Sequence, residues 1–156
     1  MEAASFLGQP DCAAPIAAQV DEFVYAADPA VRAAGLTGAL GVDQGLAALA
    51  SGAAYLTGAR RVEHPLLSCF QVIDQLPLRV ETLKKYLRDA GIGRLEIKKR
   101  DVAIQPEQLR RRLKLRGSGS ATLLLARHGV REIALVAKRV GPESGVPGVN
   151  GASAGG

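Results

Sequence analysis

The chain has 156 residues, of which 47% are hydrophobic, with two cysteines and a formal net charge of +5. This length suits one domain that can bury a core without disulfides or a structural metal. No apolar run reaches the roughly 18 residues that a membrane span requires, and Cys12 and Cys69 form no CxxC motif, so we expect a reduced, cytoplasmic protein.

The positive charge is concentrated in the middle of the chain. Residues 79–116 hold thirteen basic and five acidic residues, whereas residues 1–78 hold three basic and eight acidic ones. A polyanion would be attracted to the middle segment.

The first elements along the chain alternate between strand and helix signals. Residues 1–20 show no clear periodicity, so we expect a flexible leader there. EFVYAA predicts a strand, and Asp28 followed by Pro29 predicts a helix start, because the carboxylate can cap free N–H groups. Four glycines interrupt the continuation of this helix and are typical of close packing on a neighbour: Gly35, Gly38, Gly41 and Gly45.

Two strands and a helix are predicted next. AYLTG and SCFQVIDQL have strand composition, and in the second Phe70, Val72 and Leu76 alternate against polar positions. RVETLKKYLRDAG is a clear amphipathic helix, which Gly91 can terminate. Its apolar residues recur at helical spacing: Val80, Leu83 and Leu87.

The remaining elements give a mixed α/β order. RLEIKKR predicts a strand with Leu95 and Ile97 on the buried face. A second helix is expected from Pro106 to near Gly117, and ATLLLAR and REIALVAKRV predict a β-hairpin around HGV. The residues of 141–156 are mainly Gly, Ser and Pro and predict a disordered tail. We therefore expect an α/β domain with a mixed sheet, two or three helices and flexible termini.

No segment predicts a catalytic site. AAGLTGALG, residues 33–41, has GxxG spacing instead of the GxGxxG of a nucleotide loop, and it does not directly follow a strand. His64 and His128 have no sequence neighbours suited to a triad or a metal site, and Cys69 is better explained as a small buried hydrophobe. The residues therefore predict no catalytic group, no cofactor and no metal.

The basic segment is the best candidate for a binding site. Phosphates attract cations regardless of sequence, and the release of counterions makes the affinity depend on salt. An amphipathic helix also needs a solvated charged face, and at about 100° per residue only two or three of its bases can meet one surface. Tyr86 is the single aromatic residue of the segment, which favours recognition of a folded RNA over base stacking.

A series of blocks in fixed order resembles a known family. The blocks are ADPAVRAAGL, AYLTG, FQVIDQLPL, LKKYLRDAGIGRLEIKKRD, QPEQLRRRLKLRG and ATLLLAR, spread over residues 23–140. Together they resemble the C-terminal part of bacterial class I S-adenosylmethionine-dependent methyltransferases that end in a THUMP-like domain. The chain differs from the family pattern in three places: at Ala26 and Ala27, where a Glu-Pro pair is usual, at Asp101, where a glycine is usual, and at Ala126, where a threonine is usual. The family's catalytic domain with its methyl-donor motif is missing from it.

The resemblance implies a domain organisation and a partner. It implies a strand–helix connecting region over residues 21–69 and a THUMP-like domain over residues 70–140. THUMP domains are associated with RNA, so it also implies that structured RNA, tRNA or rRNA, is the partner. The matching basic positions become candidate phosphate contacts: Arg94, Lys98, Lys99, Arg100, Arg110, Arg111, Arg112 and Arg116.

Three functions of different classes follow. The first is a non-catalytic RNA-binding module that positions a substrate for methylation. The alternative is a protein-interaction domain that docks on a separate catalytic methyltransferase subunit through the small-residue region 33–50. An intact methyltransferase ranks last, because the sequence lacks the methyl-donor motif.

Overall fold

The computed structural model describes Gly8, residues 12–52 and residues 54–141. Within these residues the chain forms a mixed α/β fold of one seven-stranded sheet and four helices, which confirms the predicted fold class. No helix in this part of the chain is long and apolar enough to cross a membrane. In chain order the elements are β1 (Phe23–Ala27), α1 (Pro29–Ala33), α2 (Thr37–Asp43), β2 (Ala47–Ala48), β3 (Leu56–Gly58), β4 (Leu67–Pro77), α3 (Val80–Asp89), β5 (Ile92–Lys99), α4 (Pro106–Leu113), β6 (Gly119–His128) and β7 (Arg131–Val140).

The strands lie side by side in the order β2-β3-β1-β4-β7-β6-β5. Neighbouring strands are antiparallel except β5 and β6, which run parallel. Helix α4 makes the crossover between these two strands, because parallel neighbours cannot be joined by a tight turn. Strand β5 is the last strand at one edge of the sheet. In the chain it lies between α3 and α4.

Helices α3 and α4 cover one face of the sheet. Leu83 and Leu87 of α3 and Leu109 and Leu113 of α4 are fully buried against inward side chains of β5, β6 and β7. Burying a leucine side chain stabilises a fold by about 1.5–3 kcal/mol, so this cluster holds both helices on the sheet. Leu95 of β5 belongs to the same cluster, as the sequence predicts.

The opposite face has its own buried cluster, which includes Phe70 of β4. Leu49, directly after β2, and Tyr55, directly before β3, belong to that cluster as well. The Gly129 amide, in the turn between β6 and β7, donates a hydrogen bond to the Leu49 carbonyl oxygen at 2.9 Å. The sheet thus curls until its β2–β3 end meets the β6–β7 turn.

A β-bulge in β4 changes one expectation from the sequence. The pairing with β7 shifts register between Val72 and Asp74, which makes Ile73 an extra residue. Because strand side chains alternate, the extra residue moves Leu76 from the face of Phe70 to the helix-covered face. The even alternation expected along this strand is therefore wrong beyond Val72.

The second predicted helix is shorter than expected. The sequence predicted an end near Gly117, but α4 ends at Leu113. Lys114 takes a left-handed conformation with a φ of 49°, which terminates the helix. The chain then passes the start of β5, where a Cβ atom at position 117 would lie 2.0 Å from the Gly91 carbonyl oxygen. Only glycine allows so close an approach of two backbone segments.

Part of the segment expected to be a flexible leader, residues 1–20, is hydrogen bonded to β2. The Ala48 amide donates to the Pro15 carbonyl oxygen at 2.7 Å, and the Ala17 amide donates back to the Ala48 carbonyl oxygen at 2.8 Å. These bonds hold the chain around residue 16 against the sheet, which the sequence did not indicate. Residues 1–7, 9–11 and 142–156 lie outside the described residues, so the predicted domain bounds and the predicted tail stay predictions.

Candidate nucleic-acid interface

The alternation of β5 separates its charged side chains from the core. Leu95 is 7% exposed, and Ile97 packs against the same cluster under α3 and α4. Arg94, Glu96 and Lys98 therefore face the other side of the sheet. Because β5 is an edge strand, these side chains lie next to its free edge.

Helix α4 presents three consecutive arginines to solvent. Pro106 begins the helix and Glu107 lies near its positive end, as the sequence predicts. Leu109 and Leu113 point into the core, so the three arginines between them, residues 110–112, are exposed.

Arg110 connects α4 to the edge strand. Its Nη1 atom donates a hydrogen bond to the Leu95 carbonyl oxygen of β5. A cation at this place covers part of the free edge, which would otherwise pair with another chain. A guanidinium group has five N–H donors, so Arg110 keeps others for a ligand.

Basic residues of β5 and of the α4 region line one cavity at the free edge of the sheet. Its volume is about 570 Å³, and it is lined by Arg94 of β5 and by Arg110 and Arg111 of α4. Lys114, directly after α4, lines it as well, although it was not among the eight candidates from the sequence. We call this group the basic cavity and define it by four residues: Arg94, Arg110, Arg111 and Lys114.

The other candidates from the sequence lie away from the basic cavity. Lys99 donates from Nζ to the Val102 carbonyl oxygen at 3.3 Å, and Arg100 donates from Nη1 to the Lys99 carbonyl oxygen at 2.7 Å. The guanidinium of Arg100 lies over the Tyr55 ring, 5.8 Å from its centroid. Five of the eight candidates are not among the lining residues: Lys98, Lys99, Arg100, Arg112 and Arg116.

Carboxylates do not neutralise the basic cavity. Within the described residues, none of its four cations forms an ion pair with an aspartate or a glutamate. The ion pairs seen in this part of the chain involve other cations: Arg61–Glu63, Lys85–Asp89, Arg127–Glu132 and Arg139–Glu96. The positive charge of the cavity is therefore available to an external anion.

Glu96, the carboxylate nearest to Arg94 along β5, is bound by Arg139 of β7. Its oxygens accept hydrogen bonds from Arg139 Nη2 at 2.6 Å and from Nε at 3.0 Å, and Thr122 Oγ1 donates a third at 3.1 Å. The hydrogen bonds from Arg139 lower the pKa of Glu96, and the same pair raises the pKa of Arg139. Glu96 thus neutralises Arg139, and no other carboxylate of the described residues pairs with Arg94.

The histidine and cysteine side chains that were considered for catalysis have environments typical of structural residues. His64 Nδ1 accepts a hydrogen bond from the Leu66 amide at 3.0 Å, and His128 Nε2 lies 2.9 Å from the Ala17 carbonyl oxygen. Burial raises the pKa of the half-buried Cys69 thiol, which disfavours the reactive thiolate. Within the described residues, no group of three His, Cys, Asp or Glu side chains could hold a metal ion.

The fold and its basic cavity belong to a recognisable class of domain. Residues 67–139, from β4 to β7, match the family described as THUMP domain-like. This match to the family model confirms the resemblance to a THUMP-like domain seen in the sequence. The matched part contains β5, α4 and therefore all four residues of the basic cavity.

Two relatives are Mycobacterium tuberculosis proteins, from strains CDC 1551 / Oshkosh and ATCC 25618 / H37Rv. Both are described as uncharacterised S-adenosylmethionine-dependent methyltransferases, and both are 39% identical to this chain over 109 residues. The aligned part is 70% of this chain and 30% of each relative.

A similar solved structure is described as a candidate methyltransferase from Porphyromonas gingivalis W83. It matches with a TM-score of 0.72 over 83% of this chain and 32% of that chain. The sequence identity is 21%, so this likeness shows the fold alone. The chain thus spans less than a third of the length of the proteins it matches.

Proposed function

We propose that this chain is the RNA-binding, substrate-positioning module of an S-adenosylmethionine-dependent RNA methyltransferase. The observation that carries this proposal is the basic cavity, which four basic residues of β5 and the α4 region line. THUMP domains are associated with RNA, and the relatives are described as methyltransferases. The ligand we propose is the phosphate backbone of a folded RNA such as tRNA or rRNA.

The chemistry of the cavity suits phosphates. Arg94, Arg110 and Arg111 can each offer parallel N–H groups to two phosphate oxygens, and Lys114 adds a point charge. Tyr86 of α3 packs against the helix-covered core cluster, and burial raises its pKa. Little aromatic surface of this segment is left for stacking bases, which favours contacts with backbone and shape.

We infer that the module itself is non-catalytic. A Cβ atom at Gly38 would lie 2.4 Å from the Cys12 carbonyl oxygen, and one at Gly41 would lie 2.9 Å from Leu56 Cδ2. These glycines serve internal packing of α2, whereas a methyl-donor loop would direct free backbone N–H groups at a ligand. Methyl transfer would then belong to the part of the relatives that this chain does not span.

The free thiols of Cys12 and Cys69 support a cytoplasmic location.

Filter binding with folded tRNA and rRNA fragments tests the proposed RNA contact. We expect the affinity of the wild-type chain to fall at least about tenfold between roughly 50 and 200 mM salt, because several phosphates are neutralised. Arg111→Gln should weaken binding several-fold, whereas Arg131→Gln, which removes the same charge outside the cavity, should not. Absence of binding, or binding that salt does not weaken, would contradict the proposal.

A second candidate function is docking on a separate methyltransferase subunit. The observation that favours it is that the relatives are far longer than the part aligned with this chain. The proposed docking region, residues 33–50, is partly used internally, since Thr37–Gly41 are buried, but Val42 is 48% exposed. Light scattering of the chain mixed with the remaining portion of a relative decides: a stoichiometric complex supports docking, and two separate species exclude it.

A further inference from the structure

A second cluster of arginines lines a larger cavity elsewhere on the molecule. Its volume is about 800 Å³, and it is bounded by the 12–16 segment, α1, residues 50–52 with Ala54, and the end of β6. Three arginines from separate segments line it: Arg32 of α1, Arg100 after β5 and Arg127 of β6. The basic cavity shares no lining residue with this one, so the inference does not rest on the proposed RNA surface.

Backbone carbonyl oxygens hold the three guanidinium groups in place. Arg127 donates from Nε to the Asp101 carbonyl oxygen at 2.8 Å and from Nη1 to a carbonyl oxygen in the β6–β7 turn at 3.3 Å. Arg100 donates from Nη1 to the preceding carbonyl oxygen at 2.7 Å, and Arg32 donates from Nε to a carbonyl oxygen at the end of β1 at 3.4 Å. Each group keeps further N–H donors, so the cluster is positioned and still able to bind a ligand.

Two buried polar atoms beside this cluster have no partner within the described residues. They are Arg100 Nε and the Tyr55 hydroxyl oxygen. Tyr55 is 1% exposed, and burial raises its pKa to about 12, a rise that the charges of Arg100 and Arg32 oppose. The hydroxyl therefore lies in the field of two arginines and stays protonated as a donor. Both atoms are fully buried and Tyr55 does not line the cavity, so a ligand there would contact the free N–H groups of the lining arginines and not these atoms.

The cavity has an excess of positive charge. Asp101 is the one carboxylate among its lining residues, against Arg32, Arg100 and Arg127. Glu132, outside the lining, lies 3.6 Å from Arg127 Nη2 and offsets part of that charge. Concave surfaces lined by one sign of charge concentrate counter-ions, so an anion is the expected ligand.

We propose that this cavity binds the phosphate monoester of a nucleotide. A phosphate monoester carries about −1.5 to −2 charges at neutral pH and three strong acceptor oxygens, one for each of the three arginines, whereas a phosphodiester carries a single charge. Ala13, Ala14 and Ile16 line the same cavity and offer apolar surface to a base or sugar. The volume is in the range of small-molecule sites. The shared chemistry is the monoester, whether it is carried by a free nucleotide or by the 5′ end of an RNA.

Calorimetric titration of the full chain with adenosine 5′-monophosphate and with adenosine tests this proposal. We expect the nucleotide to bind at least tenfold more tightly than the nucleoside. Arg32 is exposed, so Arg32→Gln should keep the fold while weakening nucleotide binding at least tenfold. The matched control Arg131→Gln, an exposed arginine outside the cavity, should change it less than twofold. Asp101→Asn should strengthen binding several-fold, because it removes the opposing carboxylate.

A pair of RNA oligonucleotides, one with a 5′-phosphate and one with a 5′-hydroxyl, separates the two sources. A preference for the phosphorylated RNA that Arg32→Gln abolishes identifies an RNA end, and nucleotide binding without that preference identifies a free nucleotide. The proposal is overturned if neither monoester binds with a dependence on Arg32, or if Arg131→Gln has the same effect. Should Arg32→Gln fail to fold, the direction of change in Asp101→Asn decides, and weaker or unchanged binding overturns the proposal.

Discussion

At Asp101 the backbone adopts a left-handed conformation, with a φ of 59°. Side chains of L-residues are strained in this region, and glycine is the residue that adopts it freely. The family that the sequence resembles carries a glycine at this position, and the backbone conformation gives the physical reason. The Asp101 carbonyl oxygen also accepts a hydrogen bond from Arg127, so the surrounding fold fixes this conformation.

Substitutions at this position should therefore change stability with opposite signs. We expect Asp101→Gly to raise the free energy of unfolding by up to about 1 kcal/mol, because it relieves the strain. Asp101→Ala should lower it, because alanine tolerates the left-handed conformation less well than aspartate. Urea unfolding of the three proteins is the measurement, and a loss of stability in the glycine variant would contradict strain here.

The Glu96–Arg139 pair should make stability depend on pH. Because hydrogen bonds from Arg139 lower the folded pKa of Glu96, the pair stabilises the fold above the unfolded value of about 4.3. That contribution is lost as the pH falls through the lower, folded pKa. The stability difference between the wild type and Glu96→Gln should therefore be largest near neutral pH and shrink in acid, as followed by urea unfolding at several pH values.

Arg139→Gln provides the matched background for this test. In that variant Glu96 lacks its main hydrogen-bond donor, so adding Glu96→Gln should change stability with much less dependence on pH. If Glu96→Gln changed the stability of the wild-type protein by the same amount at every pH, the ion pair would not explain the change in stability.

Helix α4 is positioned by two leucines and one arginine. Leu109 and Leu113 are fully buried, and Arg110 donates to the Leu95 carbonyl oxygen of β5. The orientation of the exposed arginines is thus set by side chains on the opposite face of the helix. We therefore expect the packing of this helix to affect the proposed ligand binding.

Leu109→Ala tests whether RNA affinity depends on the position of the α4 arginines as well as on their charge. We expect it to lower the free energy of unfolding by about 2–5 kcal/mol, because it leaves a cavity under α4. RNA affinity should fall as well, although no charge has changed, because Arg110 and Arg111 lose their fixed place. Urea unfolding and filter binding measure both effects. Val130→Ala, at a side chain that is 88% exposed, serves as the control and should change stability by no more than about 0.5 kcal/mol; unchanged RNA affinity in Leu109→Ala would contradict the coupling.

The elements that the sequence predicts well are those with a strong local pattern. Helix α3, the inward side of β5 and the hairpin of β6 and β7 follow from spacing and turn residues alone. The bulge after Val72 and the early end of α4 at Leu113 do not, because both depend on pairing and close backbone contact with distant segments. The backbone hydrogen bonds of Ala48 to residues 15–17 are likewise long-range, so no local sequence pattern predicts them.

Across the molecule, the basic residues line separate cavities. The sequence places a positive field in the middle segment, and the structure brings Arg94 together with residues of α4. Arg100 instead lines another cavity, together with Arg32 and Arg127, which are remote from it in sequence. Charge density along the chain could indicate a polyanion, but only the strand order determines which cations share a surface.

The salt dependence of RNA affinity is the most direct measurement of the proposed interface. For a folded tRNA, the double variant Arg94→Gln/Arg111→Gln should reduce the slope of log affinity against log salt by about 1.4–1.8, because two phosphate contacts are lost. Arg131→Gln should leave the slope unchanged. A slope that the double variant does not alter, or that the control alters equally, would contradict RNA binding through the basic cavity.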